Sequence, residues 1–295
     1  MGRMKYKIFW WACAVALVGI LAAPADVAAQ QTEIAKLRQQ IEILQQEVLL
    51  LQSLLKNMQT HQPISAASYI AVNLSNNSVL LEKNSSQTYP IASVTKLMTA
   101  AVAQENIAPT QIVTLTEPML LPLGKSPSLF LGSQVNVGNL LKAALIQSAN
   151  DAAEALAYSL GKETFLELMN QKARELGMAQ TIFYDAHGLN PVNHSTASDL
   201  AKLIAYIYEK HPRILEITKE NNFWLPDSTG YLLKFKNVNN FYPLSYFLGG
   251  KTGYLVEAKQ TIAAVFKVNS DPVAIVVLSS GNRQADVFAI LNQLK

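Results

Sequence analysis

Few cysteines, few histidines and little net charge limit the chemistry that this chain of 295 residues can perform. The one cysteine, Cys13, lies in an apolar N-terminal segment, so the rest of the chain forms no disulfide and offers no thiol nucleophile. The four histidines are scattered without a metal-ligand spacing or a Ser/His/Asp arrangement, so no metal and no other cofactor is expected. The net charge of +3 is small and unclustered, which does not indicate a nucleic-acid partner.

Residues 1–29 have the pattern of an export signal. Three basic residues precede an apolar run at 8–23, and small residues at 27–29 suit a cleavage site. The apolar run is close to the lower limit for crossing a bilayer, so membrane attachment through an uncleaved anchor at 8–23 is the alternative. Either interpretation predicts that the protein works outside the cytoplasm, in the periplasm or at the cell wall.

Residues 30–62 are predicted to form a coiled-coil helix. They contain no glycine or proline, and apolar residues recur at alternating steps of three and four. These apolar positions are Ile34, Leu37, Ile41, Leu44, Val48, Leu51, Leu55 and Met58. β-Branched residues at most a positions and leucine at most d positions favour a parallel homodimer through residues 30–59. The alternative is a single amphipathic helix that lies on the domain that follows.

Three short motifs follow in order along the remainder of the chain. They are Ser93-Val94-Thr95-Lys96, Ser148-Ala149-Asn150 and Lys251-Thr252-Gly253. Together they supply a serine nucleophile, a lysine that can act as its base, and a cation beside a hydroxyl group. This set suits acyl transfer through a covalent serine ester. The first two patterns also occur elsewhere in the chain, so their order and context must identify the functional copies.

The contexts of the first two motifs are helical. Ser93 follows a proline and opens an apolar helix, on which Ser93 and Lys96 share one face because they are three residues apart. Ser148 and Asn150 lie in a turn between two apolar helices, where residues two apart can point into the same cleft. The alternative for this turn is an N-cap of the second helix, formed by Ser148 or Asn150.

The third motif lies next to strands. Two glycines precede Lys251, and the apolar runs 261–266 and 273–278 follow with the residue types of buried strands. Glycines beside a lysine at the start of a strand allow a ligand to approach the backbone closely. The alternative is a glycine-rich hairpin turn.

The chain resembles the D-alanyl-D-alanine carboxypeptidases, the low-molecular-weight penicillin-binding proteins. The resemblance extends over residues 65–295, which we expect to be the catalytic domain. It is carried by four segments, residues 90–100, 148–153, 249–254 and 188–200. It implies an α/β fold, the penicillin-binding-protein/β-lactamase-like sandwich of an antiparallel sheet flanked by helices, with a helical subdomain.

The resemblance also implies a role for each matching residue. Ser93 would attack the carbonyl carbon, and Lys96 would take its proton, which requires the pKa of Lys96 to fall by about three units. Ser148 would pass a proton to the leaving amine, and Asn150 would hold the peptide amide. The expected binding residues are Lys251 and Thr252 for the substrate carboxylate, Gly253 for close approach, and the Tyr254 N–H, with that of Ser93, for the oxyanion.

We therefore expect a serine D,D-carboxypeptidase that releases the terminal D-alanine from peptidoglycan stem peptides and is inhibited by β-lactams. Cleavage of D-alanyl cross-links and a catalytically silent wall-binding module are the alternatives. A β-lactamase is rejected because Glu167, the nearest candidate for a deacylating glutamate, has the wrong spacing and lies in a helical run. The sequence departs from the family pattern at two positions, since Leu255 stands where the family often has a hydroxyl residue and Lys259 where it usually has glycine.

Overall fold

A computed structural model describes residues 36, 37, 40, 41, 44, 45, 47, 63–122, 129–226 and 232–295. The chain divides into two compact units, residues 1–58 and residues 59–295. The predicted export signal lies outside the described residues. None of the helices within the described part of the chain is long and apolar enough to span a membrane.

The described residues of the first unit are all helical and exposed. Three of them, Leu37, Ile41 and Leu44, occupy d, a and d positions of the predicted heptads and are 50–59% exposed. An apolar stripe with this spacing is open to solvent in the single chain. Most of the predicted coiled coil lies outside the described residues, and its pairing with a second copy stays a prediction.

The second unit is built on a five-stranded antiparallel sheet in the order β2-β1-β11-β10-β9. Its strands are β1 (Ser68–Asn73), β2 (Val79–Lys83), β9 (Phe247–Leu255), β10 (Lys259–Val268) and β11 (Asp271–Ser280). β1, near the start of the unit, pairs with β11, near its end, so the sheet joins the two ends of the unit. The antiparallel sheet that the family resemblance implies is thereby confirmed.

Helices cover both faces of the sheet. They are α1 (Lys96–Asn106), α2 (Glu117–Leu120), α3 (Val137–Ile146), α4 (Asn150–Tyr158), α5 (Lys162–Glu175), α6 (Ala197–Lys210), α7 (Pro212–Ile217) and α8 (Arg283–Gln293). Helix α6 packs on one face of the sheet and α8 on the other. This explains why β10 and β11 are almost continuous runs of buried apolar residues rather than alternating patterns.

Two hydrophobic cores result from this layering. The larger core lies between the sheet and the helical block, and contains most of the buried side chains of α1, α3 and α4. The smaller core lies under α8, where Phe241, Phe247 and Phe266 pack with ring centroids 5.4–6.3 Å apart. The larger core fixes the helices that carry two of the three motifs against the strand that carries the third.

The remaining short strands form three two-stranded ribbons. They are β3 (Thr88–Pro90) with β6 (His194–Thr196), β4 (Ile112–Thr114) with β5 (Gln134–Asn136), and β7 (Asn222–Pro226) with β8 (Leu232–Lys236). The first ribbon lies directly before Ser93, so it links residues 193–199, within the fourth resembling segment, to the chain that carries the predicted nucleophile.

Candidate active site

Ser93 lies in a short 3-10 turn, Ala92–Thr95, which leads directly into α1. The sequence analysis predicts a loop entering a helix here, and the tighter first turn refines that prediction. The turn is anchored by Asn193, whose carbonyl accepts from the N–H of Ile91 at 3.2 Å and whose side chain donates to Thr95 at 3.2 Å. Ser93 is therefore held by the fourth resembling segment as well as by its own helix.

Lys96 is completely buried and donates hydrogen bonds in three directions. Its Nζ lies 3.1 Å from Ser93 Oγ, 2.7 Å from Asn150 Oδ1 and 2.5 Å from the backbone carbonyl of His187. Burial lowers the pKa of Lys96 from 10.5 to about 7, although the carboxylates of Asp185 and Asp151 act in the opposite direction. A large fraction of Lys96 is then a neutral amine near pH 7, within hydrogen-bond distance of the Ser93 hydroxyl.

The second motif forms the turn between α3 and α4. Asn150 is the first residue of α4, and the N-cap is Ala149, which makes no side-chain capping hydrogen bond. The alternative of an N-cap formed by Ser148 or Asn150 is therefore wrong. Ser148 has a φ of 64°, a left-handed conformation that costs free energy for a residue with a Cβ. This strained turn directs Ser148 and Asn150 into the same cleft, as predicted.

The third motif lies on β9, at the edge of the sheet, and is not a hairpin turn. Gly253 has a packing reason to lack a side chain, because an added Cβ would lie 2.9 Å from the backbone nitrogen of Ser93 and 2.5 Å from Thr261 Oγ1. The strand can approach the nucleophile this closely only with glycine at that position. Gly253 and the backbone of Ser93 thereby lie side by side in the wall of the cleft.

Lys251 is buried beneath the cleft, and its Nζ donates to the carbonyl of Thr252 at 2.9 Å. Its pKa lies well below the ordinary value, first because of burial and then because of repulsion by Lys96 and Arg283. Lys96, Lys251 and Arg283 thus lie close enough to repel one another when they are charged. An anionic ligand would relieve that repulsion and favour the charged form of Lys251.

A cleft of about 370 Å³ joins the three motifs. Its lining consists of Ser93, Gln147, Ser148, Asn150, Leu189, Val238, Thr252, Gly253, Tyr254 and Arg283. Among the described residues that line it there is no aspartate or glutamate. Glu167 lies on α5 with an exposed side chain and lines a separate shallow depression, so it holds no water at this cleft.

Arg283 is the site residue that the sequence analysis missed. It is the first residue of α8, and its guanidinium donates to the carbonyl of Gly253 at 2.9 Å. Burial lowers the pKa of Arg283 from its ordinary value. The only sequence signal was a basic residue directly after the Ser280-Gly281-Asn282 turn, and nothing local connects that turn with the third motif.

The loop between Asp185 and Asn193 supports the site from behind. The carboxylate of Asp185 accepts hydrogen bonds from four donors, the N–H groups of His187, Gly188 and Asn190 and the side chain of Asn193. Gly188 has a φ of 82°, and an added Cβ would lie 2.1 Å from the carbonyl oxygen of Ala92. The loop is therefore pressed against the turn that carries the nucleophile.

The two departures from the family pattern lie at the β9–β10 hairpin. Leu255 ends β9 and pairs with Lys259, which begins β10. Lys259 has a φ of 51°, in the left-handed region where glycine is favoured, so the hairpin keeps a backbone suited to glycine while carrying lysine. Leu255 is half-buried, and neither residue lines the cleft among its described walls.

Comparisons with known proteins place this geometry in context. A family model described as D-alanyl-D-alanine carboxypeptidase matches residues 56–282. The D-alanyl-D-alanine endopeptidase of Escherichia coli is 33% identical over 230 residues, covering 74% of this chain and 72% of that protein. The D-alanyl-D-alanine carboxypeptidase DacC of Escherichia coli is 36% identical over 174 residues, covering 54% of this chain and 44% of that protein. A solved D-alanyl-D-alanine carboxypeptidase from Mycobacterium tuberculosis has the same fold, with a TM-score of 0.73 and 24% identity over 79% of this chain and 92% of that one.

Proposed function

The chain belongs to the D-alanyl-D-alanine carboxypeptidase family, and we propose that Ser93 and Lys96 carry out the serine D,D-carboxypeptidase reaction of that family. The reaction releases the terminal D-alanine from a peptidoglycan stem peptide through an acyl-serine intermediate, and β-lactams acylate the same serine. One observation carries the assignment of roles. Lys96 Nζ lies 3.1 Å from Ser93 Oγ, and burial lowers the pKa of Lys96 to about 7.

Acylation begins when Lys96 Nζ takes the proton of Ser93 Oγ, which then forms a bond to the carbonyl carbon between the two D-alanines. The oxyanion is held by the N–H groups of Ser93 and Tyr254, each of which contributes about 3 kcal/mol in the transition state. When the carbon–nitrogen bond breaks, the proton on Lys96 passes through Ser148 to the leaving amine. Water then attacks the acyl-serine, and the hydroxyl group of Ser93 is regenerated.

Substrate binding uses the opposite wall of the cleft. The hydroxyl of Thr252 and the guanidinium of Arg283 face the cleft and are suited to the terminal carboxylate. Lys251 lies beneath them, and a bound carboxylate favours its charged form. Asn150 accepts from Lys96 and lines the cleft, and we assign it to the peptide amide of the substrate.

The absence of an acidic residue from the described cleft walls has a consequence for inhibitors. A water molecule would not be activated by a carboxylate after acylation by a penicillin. The acyl-enzyme formed with a penicillin is therefore expected to be long-lived, which makes penicillin an inhibitor rather than a substrate.

The carboxypeptidase assignment is tested by D-alanine release from a synthetic pentapeptide that ends in D-alanyl-D-alanine. We expect release by the wild type and none above background by Ser93→Ala. Ser159→Ala is the matched control, because Ser159 belongs to a second S-x-x-K pattern outside the cleft and its loss leaves release unchanged. Release by Ser93→Ala at the wild-type rate would refute the role of Ser93.

Cleavage of cross-links is the second candidate activity, and a second cavity favours it. This cavity, of about 410 Å³, shares Tyr254 and Arg283 with the catalytic cleft and is otherwise mainly polar, with Asn240 and Gln284 in its walls. With the substrate carboxylate fixed at Arg283, a leaving group larger than D-alanine can continue into this space. The relative with 33% identity is named as an endopeptidase, which agrees with this possibility.

The two activities are separated by changing only the second cavity. We expect Asn240→Ala combined with Gln284→Ala to slow cleavage of a cross-linked peptide dimer by about tenfold, the equivalent of one or two net hydrogen bonds. D-Alanine release from the pentapeptide should stay at the wild-type rate. Gln293→Ala, at the exposed end of α8, is the control. Equal losses on both substrates would show that the cavity has no role specific to cross-links.

The family acts on peptidoglycan, so the chain works outside the cytoplasm. We propose that residues 1–29 direct its export, with an uncleaved anchor at 8–23 as the alternative. The N-terminal sequence of the mature protein distinguishes the two, because cleavage predicts a new terminus directly after residue 29.

We also propose that residues 30–59 form a parallel dimer and that residues 65–295 are the catalytic domain. The exposed apolar side chains of Leu37, Ile41 and Leu44 support this pairing. In sedimentation experiments we expect the exported protein to be a dimer and Leu44→Asp to be a monomer. Gln45→Asp, an exposed helical neighbour outside the apolar stripe, should remain a dimer. A monomeric wild type would refute the proposed pairing.

A further inference from the structure

A buried glutamate lies behind the catalytic lysine and takes no part in the reaction described above. Glu154 is on α4, one turn after Asn150, and its side chain is only 2% exposed. Its Oε1 accepts from Lys162 Nζ at 2.5 Å. Its Oε2 has no hydrogen-bond partner within the part of the chain that the structure describes. A buried carboxylate oxygen without a partner is costly, so its retention here requires a physical reason.

The group that faces this oxygen is the imidazole ring of His187. Its Nε2 lies 3.6 Å from Glu154 Oε2, just beyond the range of a direct hydrogen bond. Its Nδ1 accepts from the N–H of Leu189 at 3.2 Å. In a neutral imidazole that accepts at Nδ1, the proton is on Nε2 and points at Glu154. Nδ1 also lies 3.4 Å from Asp185 Oδ2, and it is the hydrogen bond from Leu189 that favours the tautomer with the proton on Nε2.

The ring of His187 is neutral near pH 7. Burial lowers the pKa of His187 to about 4, and the positive charges of Lys96 and Lys162 act in the same direction, while Asp185 opposes them. These are the charged groups that the structure places around the ring from α1, α5 and its own loop, with Glu154 facing it from α4. The ring thus serves as a donor of fixed direction rather than as a second cation beside Lys96.

The backbone of the same residue contacts the catalytic base. The carbonyl of His187 accepts from Lys96 Nζ at 2.5 Å, and the neighbouring carbonyl of Ala186 accepts from Thr99 Oγ1 at 2.5 Å. The ring that faces Glu154 and the carbonyl that accepts from Lys96 Nζ thus belong to the same residue.

We propose that Glu154 is a positioning residue, which holds the His187 ring through Nε2 and thereby keeps the His187 carbonyl against Lys96 Nζ. Lys162 neutralises the charge of Glu154 from the surface side, so the carboxylate can remain buried. The proposal rests on the assignment of Lys96 as the base. Glu154 does not line the cleft, so its effect is on the chemical step and not on substrate binding.

The proposal has two consequences for acylation. A carbonyl acceptor favours the ammonium form of Lys96, so a displaced carbonyl lowers the pKa of Lys96 further and moves the acid limb of the rate profile to lower pH. The amine is also less well oriented toward the serine hydroxyl, so the plateau rate falls by about 10- to 100-fold. A defect in folding alone would reduce the amount of active protein and leave the pH midpoint unchanged.

The test compares Glu154→Leu with Glu154→Gln, which retains an acceptor for the His187 Nε2–H. The rate of acylation by a fluorescent penicillin is measured across the pH range, together with the dissociation constant of the complex before acylation. We expect Glu154→Leu to show the lower plateau and the shifted limb, with an unchanged dissociation constant. Glu154→Gln should restore most of the plateau, and Glu163→Leu, on the exposed face of α5, should match the wild type. Identical profiles for Leu, Gln and wild type at position 154 would overturn the proposal.

A measurement on the wild type keeps the proposal testable if Glu154→Leu does not fold. The nitrogen-15 shifts of His187 should report a protonated Nε2 and an unprotonated Nδ1 at neutral pH. A proton on Nδ1, or a charged ring, would overturn the proposal. This spectrum does not depend on activity, so its outcome is separate from that of the D-alanine release experiment.

Discussion

The burial of Lys96 predicts that this group makes the fold more stable as the pH rises above neutral. Burial lowers the pKa of Lys96 from 10.5 to about 7 in the folded chain. The folded protein therefore releases the proton near pH 7, whereas the unfolded chain keeps it until about pH 10.5. Between these values the unfolded state binds more protons, so the free energy of unfolding increases with pH. From about pH 7 to about pH 9 this one group contributes about 2 kcal/mol.

Replacing Lys96 by methionine removes this dependence while filling the same volume with an apolar side chain. Unfolding in urea is followed by tryptophan fluorescence at a fixed protein concentration, at intervals over that pH range. Relative to Lys96→Met, the wild type should gain about 2 kcal/mol from the lower to the higher pH. Lys267→Met, at an exposed position in β10, should follow the wild-type curve. If the free energy of unfolding changes with pH in the same way for Lys96→Met as for the wild type, Lys96 keeps an ordinary pKa in the fold. Burial then does not produce the neutral base.

Three other substitutions test the geometry of the site and of its edge. Gly253→Ala should reduce acylation by penicillin at least about 100-fold, because the added Cβ clashes with the backbone nitrogen of Ser93, a proposed oxyanion donor. Gly281→Ala meets only ordinary van der Waals contacts with Ser65 and should acylate normally. Arg283→Gln should lower kcat/KM for D-alanine release by about 10- to 100-fold through loss of a charged hydrogen bond to the carboxylate, and an unchanged kcat/KM would remove Arg283 from the binding site. Lys259→Gly should raise the free energy of unfolding by about 0.5 to 1 kcal/mol because its φ is left-handed, while Lys267→Gly in extended β10 should lower it by about as much.

The catalytic centre could be predicted from sequence because its closest pair is local. Ser93 and Lys96 are three residues apart, and that spacing brings their side chains together in any helical turn. The pairing of this turn with Asn150 could not be derived from spacing, since fifty-four residues separate Lys96 from its hydrogen-bond acceptor. It was expected only because the ordered motifs resemble those of a known family.

Other parts of the site have no side-chain signature at all. The carbonyl of His187 and the N–H of Tyr254 are backbone groups, so residue type does not reveal them. β9, β10 and β11 pair in sequence and run antiparallel, so β9 and β11 finish at the same end of the sheet. Because α8 begins directly after β11, Arg283 lies within reach of the third motif. Register of this kind is a property of the whole sheet, and local patterns do not encode it.

The sheet itself was easier to predict than its turns. The apolar runs at 261–266 and 273–278 have the residue types of strands buried on both faces, and they form the centres of β10 and β11. The sequence left two interpretations of Ser148, an N-cap and a cleft residue, because serine is common in both roles. Its left-handed backbone resolves the choice, and no residue preference predicts that conformation for serine.

The central claim is that Ser93 becomes covalently acylated, and labelling with a fluorescent penicillin tests it most directly. The wild-type protein should show saturable labelling of one site, with the added mass located by mass spectrometry on the peptide that contains Ser93. Ser93→Ala should show none, while Ser159→Ala should label like the wild type. A wild type without covalent label, or label that persists in Ser93→Ala, would contradict the account.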